Sequence, residues 1–141
     1  MSKNILVVED DTMIASGLVY VFEQEGYTVF HCKTVNEATN AIASKKFDLA
    51  ILDMQMPDGT GFDVRKKLID TSVIFLTVVD DEASIVKAFE DGADDYVTKP
   101  FRIRELLARV KRTLAANTDN AKSALTIGGI TMDTSRPYNR N

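Results

Sequence analysis

Acidic residues, a threonine and a lysine follow short apolar segments of this 141-residue sequence. They are Glu9, Asp10, Asp11, Asp53, Thr77 and Lys99. If the apolar segments are parallel strands of one sheet, their carboxyl ends share an edge and these side chains converge there. Clustered carboxylates repel one another and need a cation or protons, and oxygen ligands favour Mg²⁺. A carboxylate nucleophile beside Mg²⁺, a lysine and a hydroxyl is suited to phosphoryl transfer.

The elements that must position these residues alternate between two patterns. Short apolar or β-branched runs predict strands at 5–8, 28–32, 49–52, 73–77 and 96–98. Apolar residues at helical spacing predict helices at 13–25, 36–45, 62–69, 82–91 and 102–115. Repeated strand–helix units predict an α/β fold, a parallel sheet with right-handed crossovers and helices on both faces.

Composition and charge exclude several classes of protein. One cysteine and one histidine cannot supply an intrachain disulfide or a multi-thiolate zinc site. The apolar runs are shorter than the roughly 18 residues of a membrane span, and the amino terminus is unlike a secretory signal, so we expect a cytoplasmic protein. Residues 1–101 carry 9 basic and 18 acidic side chains, which is unlike a nucleic-acid-binding surface.

Four motifs make the sequence similar to the receiver domains of bacterial response regulators. These motifs are ILVVEDD (5–11), LDMQMPDGTG (52–61), FLT (75–77) and GADDYVTKPF (92–101). The resemblance covers about residues 3–117, and four motifs in this order and spacing make it specific. It implies a doubly wound five-stranded sheet with the strand order 2-1-3-4-5, the flavodoxin-like receiver fold.

The resemblance implies a phosphorylation site with a metal. Asp53 is expected to accept a phosphoryl group from a phosphohistidine of a sensor histidine kinase. The ligands of Mg²⁺ are expected to be Glu9, Asp10, Asp53 and the backbone carbonyl of Gln55. Such a domain is a phospho-accepting regulatory module that catalyses only its own phosphorylation and dephosphorylation, and not an enzyme for other substrates.

The same resemblance implies a switch next to that site. Thr77 is expected to turn toward the phosphoryl group, while Lys99 pairs with one of its oxygens. Tyr96 is expected to move inward with Thr77, and the bond before Pro100 is expected to be cis. Val78 stands where receivers mostly carry alanine or glycine, so we expect slower phosphorylation by small donors.

Segments around the fourth and fifth helices resemble the OmpR/PhoB subfamily, which dimerises through the face made by helix 4, strand 5 and helix 5. The residues expected at this interface are Val86, Phe89, Glu90, Asp95, Leu107, Arg109 and Lys111. Asp95 is expected to pair with Arg109 of the second chain. Glu90 is expected to pair with Lys111 in the same way, whereas Ile85 replaces the basic residue of a third pair.

The carboxyl-terminal segment extends the resemblance. Residues 125–141 are similar to the opening strands of a winged-helix DNA-binding domain, so we expect a receiver domain at 1–117, a linker at 118–124 and a fragment at 125–141. The expected partners are the sensor kinase, a second copy after phosphorylation, and DNA only through a winged-helix domain whose recognition helix the sequence does not include. No membrane partner is expected.

Two other functions fit parts of the pattern. A haloacid-dehalogenase-like phosphatase also uses Mg²⁺ and a strand-terminal aspartate, but it requires a second aspartate where this chain has Gln55, and a cap domain. A flavodoxin-like carrier of FMN needs a neutral, hydroxyl-rich loop after the first strand to bind a phosphate. The acidic segment 9–11 would repel that phosphate.

Overall fold

A computed structural model describes residues 2–78 and 82–127 of the chain. The strands in these ranges are β1 (Asn4–Val8), β2 (Thr28–Cys32), β3 (Leu49–Asp53), β4 (Gln55–Met56), β5 (Gly59–Thr60), β6 (Ser72–Thr77) and β7 (Asp95–Thr98). The helices are α1 (Thr12–Gln24), α2 (Val35–Ser44), α3 (Gly61–Arg65), α4 (Glu82–Glu90) and α5 (Ile103–Ile127).

The main sheet is parallel, with the order β2-β1-β3-β6-β7, while β4 and β5 form a separate antiparallel pair. The predicted α/β fold and its strand order are therefore confirmed. The order reverses between β1 and β3. Ligand sites of open parallel sheets lie at such a switch point, beyond the carboxyl ends of the strands.

The alternation of side chains along β1 gives the sheet a core on each face. Leu6 and Val8 belong to one buried cluster, which α2, α3 and α4 cover through Ala38, Val64 and Ala88. Ile5 and Val7 belong to the other, which α1 and α5 cover through Leu18, Phe22, Leu106 and Val110. A period of two along the strand requires this division. The central strands are thus held from both sides.

Two helices differ from the prediction. The helix expected over 62–69 ends at Arg65, because the amides of Lys67 and Leu68 turn back to carbonyls three residues earlier. The helix expected to stop at 115 continues to Ile127 and includes the segment 118–124, whose role as a linker stays a prediction. That segment contains several good helix formers and neither glycine nor proline.

Residues 125–127 of the expected winged-helix fragment are the end of α5, and residues 128–141 lie outside the described residues. The division into receiver, linker and fragment otherwise stays a prediction. None of the helices within 2–78 and 82–127 is long and apolar enough to cross a membrane.

Candidate functional site

The strand ends of the sheet surround an acidic pocket. Its lining consists of Glu9, Asp10, Asp11, Asp53, Gln55, Val78 and Lys99. These residues come from the ends of β1, β3, β6 and β7 and from the loops that follow them. The fold therefore brings together the acids and the lysine that the sequence pattern predicted to converge.

Lys99 connects two of the carboxylates at the bottom of the pocket. Its Nζ atom lies 2.7 Å from Glu9 Oε1 and 2.9 Å from Asp53 Oδ2. Both contacts are ion pairs, and the one with Asp53 also meets the geometry of a hydrogen bond. Glu9 and Asp53 are buried, and Asp10 is exposed. One ammonium group thus contacts two buried carboxylates, and the exposed Asp10 carboxylate lies close to them.

Burial and charge set the protonation of this pair. Burial is the largest influence on Glu9 and, with the neighbouring Asp53 carboxylate, raises its pKa to about 7, although Lys99 and the amide of Asp11 lower it. Burial lowers the pKa of Lys99, but the hydrogen bonds and charges of Glu9 and Asp53 outweigh it and raise that pKa above its ordinary value. Lys99 therefore remains charged at neutral pH.

Backbone hydrogen bonds hold the pocket's loops at the ends of the strands. The amide of Met54 donates to the carbonyl of Leu76 at 2.8 Å, and the amide of Lys99 donates to that of Thr77 at 2.7 Å. The amide of Gln55 donates to Asp53 Oδ1 at 3.1 Å. Both carboxylate oxygens of Asp53 thus have a fixed partner.

Gly61 allows α3 to approach this backbone closely. A Cβ atom on Gly61 would lie 2.8 Å from the backbone oxygen of Asp53 and 3.0 Å from the ring of Phe75. Both distances are shorter than ordinary van der Waals contact. Glycine is therefore required by the space beside Asp53.

The donor set fits a hard divalent cation. Carboxylate oxygens of Glu9, Asp10 and Asp53 lie within 4.8 Å of one another. Glu9 Oε1 is buried and its close contact is the ion pair with Lys99, and a carboxylate oxygen has a second lone pair that a cation can use. Oxygen ligands of this kind suit Mg²⁺. These three residues could hold the ion, and Gln55 lines the same pocket.

The expected switch residues lie on the adjoining strands. Thr77 is buried at the end of β6, where it pairs in register with Thr98. Tyr96 is half-buried on β7 and packs against the core cluster that contains Phe75. The Lys99–Pro100 peptide is cis. The movements expected of Thr77 and Tyr96 stay predictions.

Three of the charged residues expected at a dimer interface, namely Asp95, Arg109 and Lys111, have partners within the chain. Asp95 is buried and accepts hydrogen bonds from Arg109 Nη1 at 2.9 and 3.0 Å and from Arg112 Nη2 at 3.2 Å. Lys111 Nζ lies 2.8 Å from Glu25 Oε1, just beyond the end of α1. The pairs expected between two chains are therefore absent from this single-chain arrangement, and the dimer stays a prediction.

The apolar residues expected at the interface divide into two kinds. Val86 and Phe89 on α4 are 46% and 47% exposed, and the neighbouring Glu90 is exposed as well. Leu107 is 6% exposed and belongs to the core between α5 and the sheet. A second chain could bury Val86 and Phe89, but little of the Leu107 side chain is accessible for such a contact.

Two aspartates, Asp11 and Asp58, make contacts with helix amides that were not predicted. Asp11 caps α1 by accepting from the amides of Met13 and Ile14, and an aspartate before a helix is a signal that could have revealed it. Asp58, in the turn between β4 and β5, accepts from the first amides of α2 at 2.8 and 3.0 Å, which lowers its pKa. Its partners lie more than twenty residues away, and no local pattern indicates them.

Comparisons with known proteins agree with this geometry. The family model of the response regulator receiver domain matches residues 5–111. The DNA-binding response regulator MtrA of Mycolicibacterium smegmatis is 37% identical over 136 residues, which cover 94% of this chain and 60% of that protein. The chain thus spans about three fifths of the length of this curated relative.

Solved structures give the same picture. The response regulator DrrB of Thermotoga maritima, an OmpR/PhoB homologue, is 38% identical with a TM-score of 0.75, and the match covers 82% of this chain and 54% of that one. A CheY-like receiver domain protein of Methanospirillum hungatei is 31% identical with a TM-score of 0.80, covering 85% of this chain and 99% of that one.

Proposed function

Because the chain belongs to the family of response regulator receiver domains, we propose that it is the phosphorylation-dependent switch of a two-component transcriptional regulator. Asp53 accepts the phosphoryl group from a phosphohistidine of a sensor histidine kinase. The observation that carries this proposal is the position of Asp53, a buried carboxylate at a strand end, 2.9 Å from Lys99 and beside two further acids. Receiver domains signal, so the family also speaks against the phosphatase and the FMN carrier.

The chemistry follows from these groups. A carboxylate oxygen of Asp53 forms a bond to phosphorus, the P–N bond of the donor breaks, and the electron pair leaves with the donor's imidazole. Lys99, which already contacts Asp53 Oδ2, pairs with a phosphoryl oxygen as negative charge gathers there. The amide of Gln55 keeps the carboxylate directed into the pocket.

A divalent cation completes the charge balance. Glu9, Asp10, Asp53 and the backbone carbonyl of Gln55 would hold Mg²⁺, which supplies positive charge to the phosphoryl oxygens when it is bound. The burial of the Glu9 carboxylate and its raised pKa both favour a site that gains from a cation.

Phosphorylation then changes the surface through the adjoining strands. Thr77 turns its hydroxyl to the phosphoryl group, and Tyr96 moves into the space that Thr77 leaves. Tyr96 lies on β7 next to Asp95, whose side chain pairs with α5. A movement of Tyr96 therefore reaches the face made by α4, β7 and α5, and we expect this face to form a homodimer.

The downstream output is DNA binding through a further domain. MtrA is a DNA-binding response regulator, and DrrB is an OmpR/PhoB homologue. Residues 125–141 resemble the start of the corresponding winged-helix domain, so we infer that this chain regulates transcription from the cytoplasm through such a domain and not through its own acidic surface.

Light scattering tests the proposal. The chain is measured in Mg²⁺ with and without beryllium fluoride, a mimic of the phosphoryl group, and Asp53→Asn serves as the matched control. We expect the wild type to shift from monomer to dimer and the variant to remain a monomer. Binding of the mimic without dimerisation would contradict the dimer, and absence of binding would contradict the phosphoacceptor role.

A further inference from the structure

The only histidine of the chain contacts the acidic loop from the edge of the sheet. His31 lies on β2, and its Nε2 atom is 2.7 Å from the backbone carbonyl oxygen of Glu9. One step earlier, the amide of Glu9 donates to the carbonyl of Cys32 at 3.0 Å. The imidazole thus adds a hydrogen bond between β2 and the first residue after β1.

This carbonyl belongs to the peptide that joins Glu9 to Asp10. Because a peptide unit is planar, a bond that fixes the carbonyl also fixes the direction in which the chain continues to the Cα atom of Asp10. Glu9 and Asp10 differ in the contacts that their carboxylates make. The Glu9 carboxylate accepts from the amide of Asp11 at 3.0 Å and faces Lys99. Among the described residues the Asp10 carboxylate has no hydrogen bond or ion pair, so its direction depends on its backbone.

The chemistry of the contact fixes the tautomer of the ring. A carbonyl oxygen only accepts hydrogen bonds, so Nε2 must carry the proton. The contact is short for a nitrogen–oxygen hydrogen bond, and the half-buried position of His31 limits competition from water.

From this contact we propose that His31 is a positioning residue for the acid pair: its Nε2–H group orients the Glu9–Asp10 peptide so that the Asp10 carboxylate joins Glu9 and Asp53 around a divalent cation. The inference rests on the proposed function, because it requires that these acids bind Mg²⁺. His31 itself is not one of the residues whose ligand atoms cluster, which are Glu9, Asp10 and Asp53.

Two substitutions separate orientation from packing. His31→Phe keeps a ring of similar size and removes the donor, whereas His31→Gln keeps an N–H donor of comparable reach. Mg²⁺ binding to the whole chain is measured by isothermal titration calorimetry with magnesium chloride. We expect about tenfold weaker binding for His31→Phe, the lower end of the effect of residues that orient metal ligands, and recovery to within about threefold for His31→Gln.

The dependence of the phosphorylation rate on Mg²⁺ provides a second measurement. With acetyl phosphate as donor, we expect His31→Phe to raise the Mg²⁺ concentration for half-maximal rate about tenfold, in line with its Kd. The rate at saturating Mg²⁺ should change by less than about twofold, because Asp53 and Lys99 are untouched. Nitrogen NMR of the single imidazole should show the proton on Nε2.

Thr28→Val is the matched control, since it removes a hydrogen bond at the other end of β2, where Thr28 Oγ1 lies 2.9 Å from Ser2 Oγ. We expect it to leave Mg²⁺ binding unchanged. Wild-type affinity in His31→Phe, a proton on Nδ1, or equal weakening by Phe, Gln and the control would overturn the positioning role. Failure of the wild type to bind Mg²⁺ would instead overturn the proposed function itself.

Discussion

The pocket at the strand ends and the face made by α4, β7 and α5 both carry ion pairs, but they hold them differently. In the pocket, the side chain of Lys99 is 16% exposed and contacts Glu9 and Asp53, whose own side chains are almost inaccessible. On the face, Asp95 is buried, but the side chain of Arg112 that reaches it is 71% exposed. The charged groups of the pocket are held in place by the backbone at the strand ends. On the face, the charged groups that pair with Asp95 are at the ends of long side chains that extend from solvent.

How the ion pairs are held determines how far the side chains of each region can rearrange. The sheet fixes the pocket, because its acids and lysine stand at strand ends whose positions the backbone ladder sets. In the proposed dimer, Asp95 would exchange its arginine partner of the same chain for one of the second chain. Signals can therefore be received at a rigid site and expressed at an adaptable one.

The largest effect is expected from removal of the Lys99 ammonium group. Lys99→Met leaves Glu9 and Asp53 buried without an ammonium group, so we expect the phosphorylation rate to fall at least about 100-fold. The free energy of unfolding should fall by about 3 kcal/mol, the lower end for breaking a buried pair, because Glu9 can take up a proton. Acetyl phosphate kinetics and urea denaturation measure the two effects. Lys87→Met, on an exposed surface, should change neither.

A smaller effect is expected when the backbone of the pocket is displaced. Gly61→Ala places a methyl group against the Asp53 carbonyl and the Phe75 ring, so we expect a loss of about 1–3 kcal/mol in the free energy of unfolding. Gly17→Ala is the control, because its methyl group meets only the flexible end of Ile103, and replacing a glycine within a helix gains about 0.5–1 kcal/mol. Equal losses in the two variants would show that Gly61 has no special role.

A substitution at the entrance of the pocket should have a smaller effect on the phosphorylation rate. Val78 is 65% exposed and lines the site, so its side chain narrows access without filling the interior. We expect Val78→Ala to raise the rate of phosphorylation by acetyl phosphate about fivefold, which corresponds to about 1 kcal/mol in the barrier. Ile69→Ala, at an exposed site away from the pocket, should leave the rate unchanged. An unchanged rate in Val78→Ala would show that the Val78 side chain does not limit access of the donor to the pocket.

The smallest single effect is expected at Arg112, on the face made by α4, β7 and α5, and Arg109 gives the comparison there. Arg109 makes two hydrogen bonds to buried Asp95, so Arg109→Ala should lower the free energy of unfolding by about 1–2 kcal/mol. Arg112→Ala should cost less than about 0.5 kcal/mol, because its side chain is largely solvated. Thermal or urea unfolding of both variants gives the comparison. A larger loss for Arg112 than for Arg109 would contradict the geometry of this cluster.

The sequence predicted the pocket better than the face for a physical reason. Parallel strands end at one edge, so Asp53 and Lys99 could be expected to meet although 46 residues separate them. The partner of Arg109 depends on which of two chains offers Asp95, and no pattern along one chain encodes that choice. The end of α5 was misjudged because polar residues after Ala116 resemble a linker, although nothing in their backbone preferences ends a helix.

The two amides that hold the pocket to β6 have a consequence for the dynamics of the site. Met54 and Lys99 lie outside the strands, yet their N–H groups donate to carbonyls of the neighbouring central strand. Loop amides usually exchange their hydrogens with solvent rapidly, through small local openings. These two must wait for the sheet itself to open, so their deuterium uptake should match that of the core strands, and the site should vanish only together with the fold.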